Sequence, residues 1–210
     1  MGAEPATPRL QVGDLEGRHV RLERLDPAHV DALSAAAAID RSSYEFTVVP
    51  DGTAATQAYV DDLLGQAGAR RVAPFVQRRL ADGAVVGATR FMEPRWPLGR
   101  TEPDEVEIGG TWLRADAQRT AINTEAKLLL LTHAFEGWHV QRVAICTDAR
   151  NARSRRAIER IGATFEGVLR RHRPSWVPSE RERLRDSAMY SIVGAQWPSI
   201  RAALSERVWG

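Results

Sequence analysis

A single cysteine, Cys146, stands among 210 residues, so no intrachain disulfide can form. It lies in the apolar run Val143-Ala144-Ile145-Cys146, which reads as a buried strand thiol and not as a nucleophile. Histidine is scarce as well: His19, His29, His133, His139 and His172 show no ligand spacing, and no metal is expected. No apolar stretch approaches the ~18 residues of a membrane span, so no membrane partner is expected. Nor does one sign of charge dominate. Lys and Arg number 29 against 27 acids, a net +2, far from the basic stripe that duplex binding demands; no specific nucleic-acid partner is expected. Residues 1–17 lack a basic region followed by an apolar core, which removes the secretory-signal reading and makes the cytoplasm the expected location.

What the chain does have is patterned apolar content. Hydrophobic residues make up 43% of it, enough for one domain over 1–210 behind a loosely ordered lead at 1–17. Residues 19–25 alternate with period two and predict a strand. Asp26-Pro27 then signals a helix start, continued by Val30, Leu33 and Ala37. A second helix is expected from Thr53, carrying Tyr59, Val60, Leu63 and Leu64. Strands at 74–80 and 85–92 follow, joined by the Asp82-Gly83 turn, with a proline-rich loop at 94–104 behind them. The next strand, 105–114, contains Gly109-Gly110, the mark of a bulge or a close backbone approach.

The strongest helix is expected at 123–138, where Leu128, Leu131, Phe135 and Trp138 share a buried face. A strand at 142–148, a helix at 152–161 ended by Gly162, strands at 163–173 and 186–193, and a helix at 198–208 complete the order. It reads β-α-α-β-β-β-α-β-α-β-β-α. That is an α/β (α+β) chain with a mixed central sheet of about seven strands and helices on both faces, not a regular Rossmann unit.

One junction carries chemistry. Residues 118–127 form a turn that follows a strand and runs straight into the strongest helix. Free backbone N–H groups and the positive end of a helix dipole meet there, which is what a phosphate-bearing ligand needs.

Several short motifs occur in order over about residues 18–200. They are Glu107-Ile108-Gly109, the 118–127 segment, His133-Ala134-Phe135-Glu136, Asn151-Ala152-Arg153-Ser154, Ile161-Gly162-Ala163, Glu166-Gly167 and Arg185-Asp186-Ser187-Ala188-Met189-Tyr190-Ser191-Ile192. The ordered set resembles the GNAT acyltransferase superfamily, and more narrowly its RimJ/RimL-like branch of ribosomal-protein N-terminal acetyltransferases. The resemblance implies the GNAT fold, with a V-shaped opening between strands four and five. The arm of an acyl-CoA, acetyl-CoA by default, would lie in that opening, with its pyrophosphate on the loop before the long helix. The partner would be an amine acceptor, a protein N-terminus or a small molecule. A homodimer is compatible with the resemblance.

Acyl transfer from a thioester to an amine needs a base, a donor for the carbonyl oxygen, a proton for the departing thiolate, and alignment. The resemblance assigns the base to Glu107; some relatives place an acid later, where this chain has Arg173. Ser154 would serve the thiolate, or only cap its helix, and Asn151 would hold an amide of the pantetheine arm. A backbone N–H around Trp112 and Leu113 would be the carbonyl's donor. In the phosphate loop, Gln118, Arg119, Thr120, Ala121, Ile122, Asn123, Thr124 and Lys127 are the candidates. The family's two glycine places hold Ala121 and Asn123. Asn123 can stand in by tolerating positive φ and by capping, while Arg119, Thr120 and Lys127 compensate with charge and hydroxyl contacts. The cluster Arg170-Arg171-His172-Arg173 reads either as an anion-attracting edge or as a solvated one. A catalytically weak or inactive CoA-binding or partner-binding domain is the alternative reading.

Overall fold

The computed structural model describes residues 7–180 and 182–210. Eight strands form one sheet: β1 (Leu15–Glu16), β2 (Val20–Arg24), β3 (Val72–Arg79), β4 (Val85–Arg95), β5 (Glu105–Leu113), β6 (Arg142–Asp148), β7 (Thr164–Pro174) and β8 (Leu184–Val193). Their spatial order is β1-β2-β3-β4-β5-β6-β8-β7. All neighbours run antiparallel except β5 and β6, which are parallel. The sheet is thus mixed, as expected, with eight strands in place of about seven. The additional one, β1, is two residues long, too short to show a period, and it makes the expected strands four and five β5 and β6.

Five helices cover the two faces: α1 (Val30–Ala38), α2 (Gly52–Gly68), α3 (Ala121–Thr132), α4 (Ala152–Arg160) and α5 (Trp197–Trp209). One apolar cluster joins Leu33, Val60 and Leu63 of α1 and α2 to Val76, Ala88 and Trp112 of the sheet. The other lies on the opposite face, where Leu128 and Leu131 of α3, Ile158 of α4 and Leu204 of α5 pack on Phe75, Phe91, Ile108, Ile145 and Tyr190. Strand β3 lies between both layers, which is why its residues 72–77 are buried on either side of the pleat.

Local chemistry explains the boundaries. Asp26 accepts from Ala28 N (2.9 Å) while its own N–H is taken by His29 Nδ1 (3.0 Å), so Pro27 starts a short 3₁₀ turn leading into α1. Gly83, at φ +71°, makes the Asp82-Gly83 turn between β3 and β4. The lead before β2 is not loose from residue 7 onward. Leu10 is buried, Arg9 N donates to Thr101 O (2.7 Å), and Trp138 Nε1 donates to Gln11 O (3.2 Å). Its few apolar residues suffice because Leu10 joins, and Val12 packs against, the main apolar cluster; positions 1–6 of that lead lie outside the described residues.

Helix α3 begins two residues earlier than the sequence pattern suggests and ends sooner. Thr120 is its N-cap, with Oγ1 accepting from Ile122 N (3.3 Å), and a π-helical turn at His133–Gly137 replaces its last expected turn. Parallel neighbours need a crossover, and α3 supplies it between β5 and β6. Its N-terminus therefore stands at the open end of that strand pair.

Candidate active site

Strands β5 and β6 are paired at Glu105↔Arg142, Val106↔Val143 and Glu107↔Ala144, and their registered pairing stops there. Beyond Glu107 the strands part. Each is held from its outer side, β5 by β4 and β6 by β8, so the inner edges of 108–113 and 145–148 keep backbone groups free for a ligand. On β5 the departure coincides with a bulge: two residues, Gly110 and Thr111, oppose Thr89 alone. Gly110 adopts φ +57°, a conformation that favours glycine, and a Cβ there would come within 2.7 Å of the Arg90 guanidinium and displace it. The expected bulge is present.

The opening is a cavity of about 1000 Å³, lined by both strand edges, the start of α3, and the start of α4. At α3 the first-turn N–H groups of Ala121 and Asn123 have no carbonyl one turn earlier within the helix, while that of Ile122 is taken by its cap. Asn123 Oδ1 is buried without a partner among the described residues. Free strand edges, free helix amides and an orphaned amide oxygen fit a long amide-bearing anion, so the residues present suit a CoA arm.

The loop before α3 differs from the sequence expectation at several residues. Neither Ala121 nor Asn123 takes positive φ; both are helical, and the left-handed residue is Arg119, at φ +60°. Asn123 is not the cap, because Thr120 is. Gln118 turns inward, its Nε2 donating to Ser43 Oγ and Leu113 O (2.8 Å each), and so braces the loop against β5. The side chains of Ile122 and Trp112 lie in the two apolar clusters; Trp112 still borders the cavity, whereas Ile122 does not line it.

Lys127 differs most. It is 7% exposed, and its Nζ donates to Thr111 Oγ1 (2.7 Å) and Thr89 Oγ1 (3.4 Å) beneath the bulge, with no carboxylate beside it. Burial lowers its amine from 10.5 to about 7. Lys127, Thr124 and Arg119 all line the cavity, Arg119 being exposed.

Across the cleft, Asn151 caps α4, its Oδ1 accepting from Ser154 N (2.9 Å). Ser154 is therefore capped rather than capping, and its hydroxyl is half-buried on the cavity wall with no hydrogen bond among the described residues. Glu107 is buried and gripped end-on by Arg173, with Nη1–Oε1 and Nη2–Oε2 both 2.8 Å. The pair spans 66 positions, which sequence spacing does not reveal. A second bulge, between Leu169 and Arg173, turns Arg173 inward, while Arg170 and Arg171 stay exposed; the basic cluster thus divides. Burial opposes charge on Arg173, but the Glu107 carboxylate overcomes it and raises that guanidinium further. Cys146 reaches the cavity too, and burial first, then the Glu107 charge, pushes its thiol up, which disfavours a nucleophile.

The fold and this opening define a class. The profile of the Acetyltransferase (GNAT) domain matches residues 19–164, and the chain belongs to that family. A GCN5-related N-acetyltransferase from Brucella melitensis is 26% identical over 98% of this chain and 89% of its own, with a TM-score of 0.82. Mycobacterium smegmatis RimJ, solved in complex with CoA-disulfide, shares the fold at 21% identity, covering 93% of this chain and 92% of that one, TM-score 0.75. The Bacillus subtilis (strain 168) protein YdaF, provisionally named a ribosomal N-acetyltransferase, is 41% identical over 61 residues, 29% of this chain. That match spans about a third of YdaF, 33% of its length.

Proposed function

We propose that this chain transfers an acetyl or other short acyl group from acyl-CoA to a primary amine by direct attack, with both reactants bound. The acceptor is a protein N-terminus or a small molecule. The observation that supports this best is the strand pair that stops after Glu107↔Ala144 and opens towards the α3 N-terminus.

In this reading the N–H groups of Ala121 and Asn123 and the α3 dipole hold the pyrophosphate, helped by Arg119 and Thr124, while Gln118 and Thr120 keep the loop in shape. The Asn151 amide, still free at its NH₂, orients the arm. A backbone N–H at Trp112–Leu113, turned by the bulge, faces the charge that develops on the thioester oxygen. Ser154 Oγ donates a hydrogen bond to the departing thiolate, which takes up the proton that the amine sheds, so the serine is left unchanged. Glu107 retains lone pairs outside its Arg173 pair, from which it accepts a hydrogen bond from the incoming amine or from a water that carries the amine's proton away. No covalent enzyme species forms, and Cys146 takes no part.

Calorimetry with acetyl-CoA and free-thiol release against an amine panel test the proposal. Ser154→Ala should lower turnover about ten- to a hundredfold while acetyl-CoA binding stays within about twofold. Unchanged turnover removes Ser154 from the scheme. Binding by the unmodified protein with no turnover on any amine leaves only a CoA-binding domain.

A further inference from the structure

The end of the cleft away from α3 holds a charge that the proposed chemistry does not use. Alternation along β8 sends Ala188, Tyr190 and Ile192 into the core under α3 and α5, and places Arg185 on the opposite face. There its Nη2 meets Cys146 Sγ at 3.7 Å, and its guanidinium lies over the Trp176 ring, 4.6 Å from the centroid. Arg185 is 5% exposed and lines the cavity, and its Nε is buried with no partner among the described residues.

An arginine cannot shed its proton to escape burial, as Lys127 can. Its acidic neighbours are already committed. Glu107 is held by Arg173, and Asp148 by Arg150 through bonds of 3.0 and 2.8 Å. Trp176 offsets part of the desolvation through its ring face but brings no counter-charge. The anionic groups of an acyl-CoA are met at the other end, by the α3 N-terminus. A second anion is needed here, and the planar guanidinium fork matches a carboxylate.

We propose that Arg185 binds a carboxylate carried by the acceptor, so that the preferred substrates are amino acids or other amines bearing an acid group near the amine. This narrows the acyl-transfer reading and rests on it.

The test sets a panel of amino acids and dipeptides against their carboxamides. Binding in the presence of CoA is followed by saturation-transfer NMR, and turnover with acetyl-CoA by thiol release. The unmodified protein should bind the acid of each pair about tenfold more tightly than its amide. Arg185→Gln should bring the two within about twofold, with Arg185→Lys between. Equal or undetectable binding of acid and amide by the unmodified protein overturns the proposal and requires no variant to fold. Acid preference without turnover on any amine upholds the site and instead removes the transfer reading. A change only in the choice between succinyl-CoA and acetyl-CoA in Arg185→Gln assigns the carboxylate to the donor and defeats the acceptor assignment.

Discussion

Replacing Lys127 by methionine should stabilise the protein, by an amount that depends on pH. Burial lowers the Lys127 amine from 10.5 to about 7. At 1.36 kcal/mol per unit, holding this side chain in place costs the folded state about 4–5 kcal/mol at and below neutrality. Between about pH 7 and 10.5 the unfolded chain binds a proton that the folded chain does not, so stability rises with pH across that window and the cost disappears above it. Methionine keeps an unbranched stem and loses the charge. The hydroxyls of Thr89 and Thr111 lie 2.8 Å apart and continue to satisfy each other. Loss of the 2.7 Å bond to Thr111 takes back about 1–2 kcal/mol, leaving a net gain of about 2–4 kcal/mol near pH 6. For a chain of this size that raises Tm by roughly 4–16 °C. Urea unfolding of both proteins at pH 6, 8 and 10 reads the effect, since other titrating groups cancel in the difference. The gap should be widest at pH 6 and nearly closed at pH 10. A constant gap, or a methionine variant that is the weaker protein at pH 6, refutes the reasoning.

Two further substitutions probe buried carboxylates. Glu107→Gln leaves Arg173 without its counter-charge and should cost about 2–3 kcal/mol in thermal denaturation, most of it regained in the Glu107→Gln/Arg173→Met double variant; equal losses in both would mean that the pair is not coupled. Glu125 accepts from the N–H groups of Arg18, His19 and Val20 (2.7, 2.7 and 2.8 Å) and from Trp209 Nε1 (2.9 Å), so Glu125→Gln, with one acceptor oxygen, should cost about 2–3 kcal/mol. Burial pushes the Glu125 carboxyl up, but the Trp209 and backbone bonds outweigh it and hold it below 4.5. Its contribution is therefore present above pH 4.5 and lost as pH falls through the lowered value, so the variant's stability should be flatter on the acid side. Identical acid limbs would count against it.

The sequence revealed most where one face of an element is apolar. The order of helices and strands, the Asp82-Gly83 turn and the Gly109-Gly110 bulge follow from period and from glycine chemistry, and all are present. It revealed less where a side chain's partner lies far along the chain. The Glu107-Ile108-Gly109 motif points to Glu107, but nothing local announces that Arg173 clamps it or that a bulge in β7 aims Arg173 there. Lys127 stands one turn after Asn123, which suggested a phosphate contact; the bulge provides two threonine hydroxyls underneath instead. Arg185 lies in a quoted motif, yet its isolation among paired charges is a property of three dimensions only. The sequence pattern points to Asn123 for a positive φ in the loop before α3, whereas Thr120 opens the helix early and the left-handed residue is Arg119.

Glu125 sits on the second turn of α3 and is fastened by backbone at residues 18–20 and by Trp209, more than eighty positions away on either side. Gly17 lies so close that a methyl there would come within 2.3 Å of this carboxylate. The direction in which the helix points is thus set from behind, by residues that do not line the cavity. Residues at the mouth can be exchanged without touching that alignment, while a small change at position 17 or 125 acts on the whole cavity-facing end of the helix.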